Sequence, residues 1–115
     1  MGHVYNCLIL ANDILDHDVQ FLVDSKSEMA FKKIDSKNFS VFKQKEKNII
    51  GDVKKLNPYV VINDRLDNTK NYIRSLKKLG CKVINFEDLG PGSKIADLTI
   101  NAIYPEKIKK KNQFF

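Results

Sequence analysis

One imidazole near the start of the chain and a set of carboxylates and amides farther along are the groups with which this sequence could do chemistry. His3 follows Gly2 at the opening of an amphipathic stretch, while Asp24, Asn63, Asp64, Arg65, Asp67, Glu87, Asp88 and Asn101 stand at or just after the ends of apolar runs. An imidazole that takes a proton from water while an acid orients that water is a general acid–base arrangement suited to hydrolysis. A glycine-led turn running into a helix also makes an anion site, because free backbone N–H groups and the helix dipole both point at a bound phosphate. His3 is expected at the mouth of that site. Acids at strand ends also cap helices and close Asx turns, so no single one of them marks a site. His17, in a turn, reads as a solvated residue.

The elements that must position these groups alternate between helical and strand periods. Val4, Cys7, Leu8, Ala11 and Ile14 share one helical face. Residues 19–23 read as a buried strand, residues from 27 to 34 as a short helix capped by Ser25 or Ser27, and 39–42 as a second strand. Ile49, Ile50, Val53 and Leu56 predict a helix that must stop before Pro58, since the residue before proline is pushed out of the helical region. Residues 59–63 form the clearest buried strand. The stripe Tyr72, Ile73, Leu76, Leu79 is closed by Gly80, and strands are expected again over 82–86 and 98–101, with the Gly90-Pro91-Gly92 tip read as plain loop.

This alternation predicts an α/β domain, a Rossmann-like parallel sheet with helices on both faces, over residues 1–104, followed by a basic tail over 105–115. The first strand of the doubly wound order is missing; it would lie between the strands at 19–23 and 59–63. Sheet edges left open there are expected to support homo-oligomer formation. Ligands of such sheets bind outside the carboxyl ends of the strands, where the acids and amides above fall.

Composition narrows the function classes. No apolar run approaches the roughly 18 to 20 residues of a membrane span, and no leader pattern is visible, so a cytoplasmic protein without membrane partners is expected. Cys7 and Cys81 lack metal-ligand spacing and read as two buried thiols, so neither metal nor cofactor is expected. The net charge of +6 is carried by scattered lysines and a cluster at Lys107, Lys109, Lys110 and Lys111, with Arg65 and Arg74 the only arginines. Nucleic-acid binding, which favours arginine with interleaved aromatics, is not expected.

Gly2-His3-Val4-Tyr5, with Leu8 and Ala11 behind it, resembles the Gly-x-Gly-His-x-x-Arg loop-helix of the GT-B nucleotide-sugar family that includes the flagellin-sugar hydrolase PseG and the spore-coat polysaccharide protein SpsG. Asn6 stands where that pattern has arginine. Residues 59–67, 80–90 and 96–104 are similar to the family segment in which an acidic strand end is followed by an ADLVIN-like strand. The resemblance covers most of this chain and the N-terminal half of such a protein. It implies a GT-B N-terminal domain acting on a UDP- or CMP-activated sugar in surface-glycan synthesis, sometimes joined to an acylneuraminate cytidylyltransferase. It further implies His3 as the base for water attack at the sugar C1, and Gly2, Tyr5, Asp64, Arg65, Asp67 and Asn101 as substrate contacts. A non-catalytic partner module docking on a cytidylyltransferase, or an inactive fragment, is the alternative. An apolar surface patch would favour the partner module.

Overall fold

The computed structural model describes residues 2–14, 16–64, 68–86, 90–100 and 113–114, with residues 2–5 and 113–114 described by backbone alone. The chain is α/β with parallel strands, compatible with a Rossmann-like arrangement, and its contacts cluster into two units, Met1–Ile49 and Ile50–Phe115. Among the described residues no helix is long and apolar enough to cross a membrane.

In the first unit helix α1 (Gly2–Asp13) starts where the apolar period begins and buries Leu8 and Ala11. Cys7, expected on the buried face, is only half-buried. Strand β1 (Gln20–Val23), helix α2 (Glu28–Ser36) and strand β2 (Ser40–Lys43) make one βαβ unit, with β1 and β2 parallel and Phe21 opposite Val41. Ser27 occupies the N-cap position of α2 but makes no side-chain cap bond. The turn before α2 is held instead by Asp24, whose Oδ1 accepts from the Lys26 N–H at 2.9 Å, an Asx turn. α2 packs on β2 and buries Ile34. Phe21 meets Phe39 edge-on at 5.5 Å, and Lys43 pairs with Glu28 while lying 4.9 Å from the Phe31 ring centroid.

Helix α3 (Ile49–Leu56) ends as proline dictates: Asn57 takes the left-handed conformation (φ 49°), returns its N–H to the Val53 and Lys54 carbonyls, and Pro58 follows. The second unit then runs through strand β3 (Val60–Asp64), helix α4 (Lys70–Lys78), strand β4 (Lys82–Phe86), a 3-10 turn (Pro91–Lys94), strand β5 (Leu98–Ile100) and strand β6 (Gln113–Phe114). The sheet order is β3-β4-β5-β6, all parallel. Two features depart from the sequence reading. The Gly-Pro-Gly tip expected to be loop opens a 3-10 turn with Pro91 at its first position, where a fixed φ and a missing N–H cost nothing. Gln113 and Phe114 add a strand beside β5. Among the described residues β1 pairs only with β2, and β3 only with β4.

α4 is tightly specified. Thr69 caps it by accepting the Tyr72 N–H on Oγ1 at 3.2 Å, Ile73 and Leu76 are wholly buried, and Gly80 (φ 90°) releases the chain into β4. Cys81, just beyond, is buried as expected, and its Sγ–H donates to the Leu76 carbonyl at 3.1 Å. Burial pushes this thiol up from its ordinary range.

Candidate functional site

Parallel pairing sets Asn63 opposite Asn85 and Asn85 opposite Thr99, so three polar side chains line up on one face of the sheet, one residue before each strand ends. All three are buried, Asn63 at 5 % exposure and Asn85 and Thr99 at 0 %. Polar groups survive such burial only when hydrogen-bonded. Asn63 Nδ2 donates to Asn85 Oδ1 at 3.0 Å, the Tyr72 hydroxyl donates to Asn63 Oδ1 at 2.6 Å from α4 above, and Thr99 donates to the Ser93 carbonyl at 2.9 Å. The amide row thus ties the carboxyl ends of β3 and β4 to the covering helix, and β5 to the 3-10 turn.

The segments leaving those strand ends are tied to each other as well. The Gly92 N–H donates to the Asn68 carbonyl at 2.7 Å, and Ser93 Oγ donates to the Gly90 carbonyl at 2.8 Å. Glycine is required at position 92 by space: a Cβ there would lie 2.6 Å from the Asn68 carbonyl oxygen, 2.7 Å from that of Thr69 and 2.8 Å from Ile73 Cγ1. Asn68 is itself buried. Asn68 and Thr69, which lead into α4, are therefore held against the start of the 3-10 turn, at the end of the sheet where ligands of this fold class bind.

Of the residues proposed from sequence, Asp64 ends β3 half-buried at this edge, next to Asn63 in sequence and on the opposite face. Gly2, His3 and Tyr5 lie in the first turn of α1, in the first unit, where the backbone alone is described. Arg65, Asp67, Glu87, Asp88 and Asn101 lie outside the described residues. His17 is exposed, with Nε2 3.8 Å from Asp16. Among the described residues no group of three or more His, Cys, Asp or Glu is placed to hold a metal ion.

Comparison with known proteins adds a likeness without a function. No family model matches the sequence, and no solved structure matches it. The chain is 34% identical over 118 aligned positions to Uncharacterized protein MJ1062 of Methanocaldococcus jannaschii, an alignment covering 99% of this chain and 24% of that protein. This chain spans about a quarter of the relative's length.

Sequence reasoning named Asn63 but missed Asn85, Tyr72, Thr99 and Gly92. A signal was present: the tripeptide Val-Ile-Asn occurs at 61–63 and again at 83–85, and the repeat brings the two asparagines into register on neighbouring strands.

Asp97 does different work at the opposite edge. Its Oδ2 accepts the Val83 N–H at 2.8 Å while its own N–H donates to the Val83 carbonyl at 2.9 Å, which locks β5 to β4 at their amino ends. That backbone N–H first, and Lys77 and Lys82 after it, hold the Asp97 carboxyl below its ordinary range against a smaller opposing effect of burial. Its role is to hold the sheet.

Proposed function

We propose that this chain is the sugar-binding, acceptor-side domain of a protein that processes UDP- or CMP-activated sugars. The observation that carries the reading is the carboxyl edge of the second unit, where β3 ends in Asp64 and Asn68, at the entry to α4, is held by the Gly92 N–H. Sugar hydroxyls are recognised by carboxylates and amides whose positions are set in advance, and the bonded strand ends beside Asp64 supply such a setting. The resemblance of residues 59–67 and 96–104 to the nucleotide-sugar family supports the same reading and adds Arg65, Asp67 and Asn101 as contacts. It also assigns His3 as the base: imidazole accepts a proton from water, the water oxygen bonds to C1, and the C1–O bond to the nucleotide breaks with the nucleotide leaving. A cytoplasmic location goes with this reading.

Calorimetric titration of the chain with UDP- and CMP-sugars, with nucleotide release followed in the same samples, tests it. Binding that is lost in Asp64→Asn, with the fold retained, is the expected result. Release that falls by about 10² in His3→Ala at unchanged affinity would assign the base. The absence of both binding and release would favour the second reading, a partner module. Val60 and Ile62, on the outermost strand of their sheet and 46 % and 38 % exposed, support that alternative as an apolar surface.

A further inference from the structure

The charge of this protein is unevenly shared. The first unit has seven basic and seven acidic residues, whereas the second has thirteen basic and seven acidic, so the whole excess of +6 belongs to the second. Within it, α4 has four basic residues and no acidic one. Lys70, Arg74 and Lys78 recur every fourth residue, all exposed, and so form one row about 12 Å long. Among the described residues none of the three is paired with a carboxylate, in contrast to neighbouring Lys77, which lies 3.6 Å from Asp97.

The dipole favours Lys78, in the last turn, but the rest of the row runs against what the helix itself would prefer. Like charges four residues apart repel, and Lys70 at the first helical position, with no acid in the first turn, opposes the helix dipole. The opposite face of α4 explains none of it, because Ile73 and Leu76 are sealed in the core and Tyr72 is bonded to Asn63. We propose that the Lys70–Arg74–Lys78 row is a docking surface for an acidic helix of a protein partner, whose carboxylates at the same four-residue spacing meet the three cations in turn. This inference does not rest on the nucleotide-sugar reading.

Protein is favoured over other polyanions by number and kind. Three cations displace too few counterions for useful affinity toward nucleic acid at physiological salt, and the row holds two lysines to one arginine. A lipid surface requires an apolar helix face to enter it, and that of α4 is already buried. Complementary rows of opposite charge give register and steering even where the count is small.

The test is an NMR titration of the ¹⁵N-labelled full chain at low ionic strength. One probe is a helical peptide bearing glutamates at every fourth residue in a single row, and another has the same composition with its glutamates spread around the helix. Oligo-dT and phosphatidylcholine vesicles with about a third phosphatidylserine complete the set. The row peptide is expected to shift amides of residues 70–78 and to bind about fivefold or more tightly than the scattered peptide. Binding should vanish in the Lys70→Gln, Arg74→Gln, Lys78→Gln variant with the remaining resonances unmoved, and persist in Lys26→Gln, Lys32→Gln, Lys37→Gln. Equal binding of the two peptides, or shifts spread equally over the first unit, would overturn the proposal. Tighter binding of oligo-dT or vesicles through α4 would replace it with a nucleic-acid or membrane surface.

Discussion

Asn63 and Asn85 are amides in a place that packing alone would fill with leucine or valine, and their cost is offset by the bond between them and by the Tyr72 hydroxyl that donates to Asn63. Asn85→Ala leaves the Asn63 Nδ2 group without that acceptor inside the sheet and should lower stability by about 1–3 kcal/mol, read from urea unfolding. Replacing both with leucine removes that donor and acceptor together but takes from the Tyr72 hydroxyl its acceptor, so the double variant should recover only part of the loss unless Tyr72→Phe is added; no recovery in the triple variant would mean that the amides act independently. Gly92→Ala is the matching steric case, expected to cost about 1–3 kcal/mol because the added methyl meets two backbone oxygens, which cannot swing aside as a side chain can. The sequence reading reached Asn63 because it precedes Asp64 at a strand end. Asn85 and Tyr72 stayed hidden, since nothing local to an asparagine inside a strand or a tyrosine on a helical stripe says that the two meet through a third residue.

Elements were legible where a covalent constraint ends them. Pro58 stops α3 and Gly80 stops α4 within a residue of expectation, and the strand at 82–86 is where its apolar run predicts. The division into two sheets falls where a strand was expected to be missing, between residues 19–23 and 59–63; the strand at Gln113–Phe114 was not legible, because strand pairing is decided by contacts distant in sequence. Asp97 illustrates such a contact: a single carboxylate fourteen residues from Val83 fixes where β5 meets β4. Its folded pKa is depressed, so its stabilisation is present above the unfolded value near 3.8 and is lost as pH falls through the lower folded value. Urea midpoints measured from pH 7 down to pH 2 should therefore fall more steeply below pH 4 for the parent than for Asp97→Asn, whose amide oxygen still accepts the Val83 N–H but does not titrate. Parallel curves would remove Asp97 from the acid response.

At the scale of the whole molecule, the chain has one neutral unit and one that is strongly basic, and that asymmetry has a physical consequence apart from any ligand. Mutual repulsion among the cations of the second unit opposes its compact state, and salt screens it, with a Debye length near 10 Å at about 0.1 M. Salt also weakens attractive pairs. Lys77 with Asp97 at 3.6 Å is one such pair in that unit, partly exposed and worth at most about 1 kcal/mol. Repulsion among Lys70, Arg74 and Lys78 involves three charges with no compensating carboxylate among the described residues. The balance favours stabilisation, so the urea midpoint should rise between low salt and about 0.5 M sodium chloride, where the screening length is only a few ångströms. The Lys70→Gln, Arg74→Gln, Lys78→Gln variant should be the more stable protein at low salt and respond less to added salt, because the repulsion that salt would relieve is already gone. A parent whose midpoint falls with salt would mean that attractive pairs outweigh the row, and α4 would then need no partner to account for its charge.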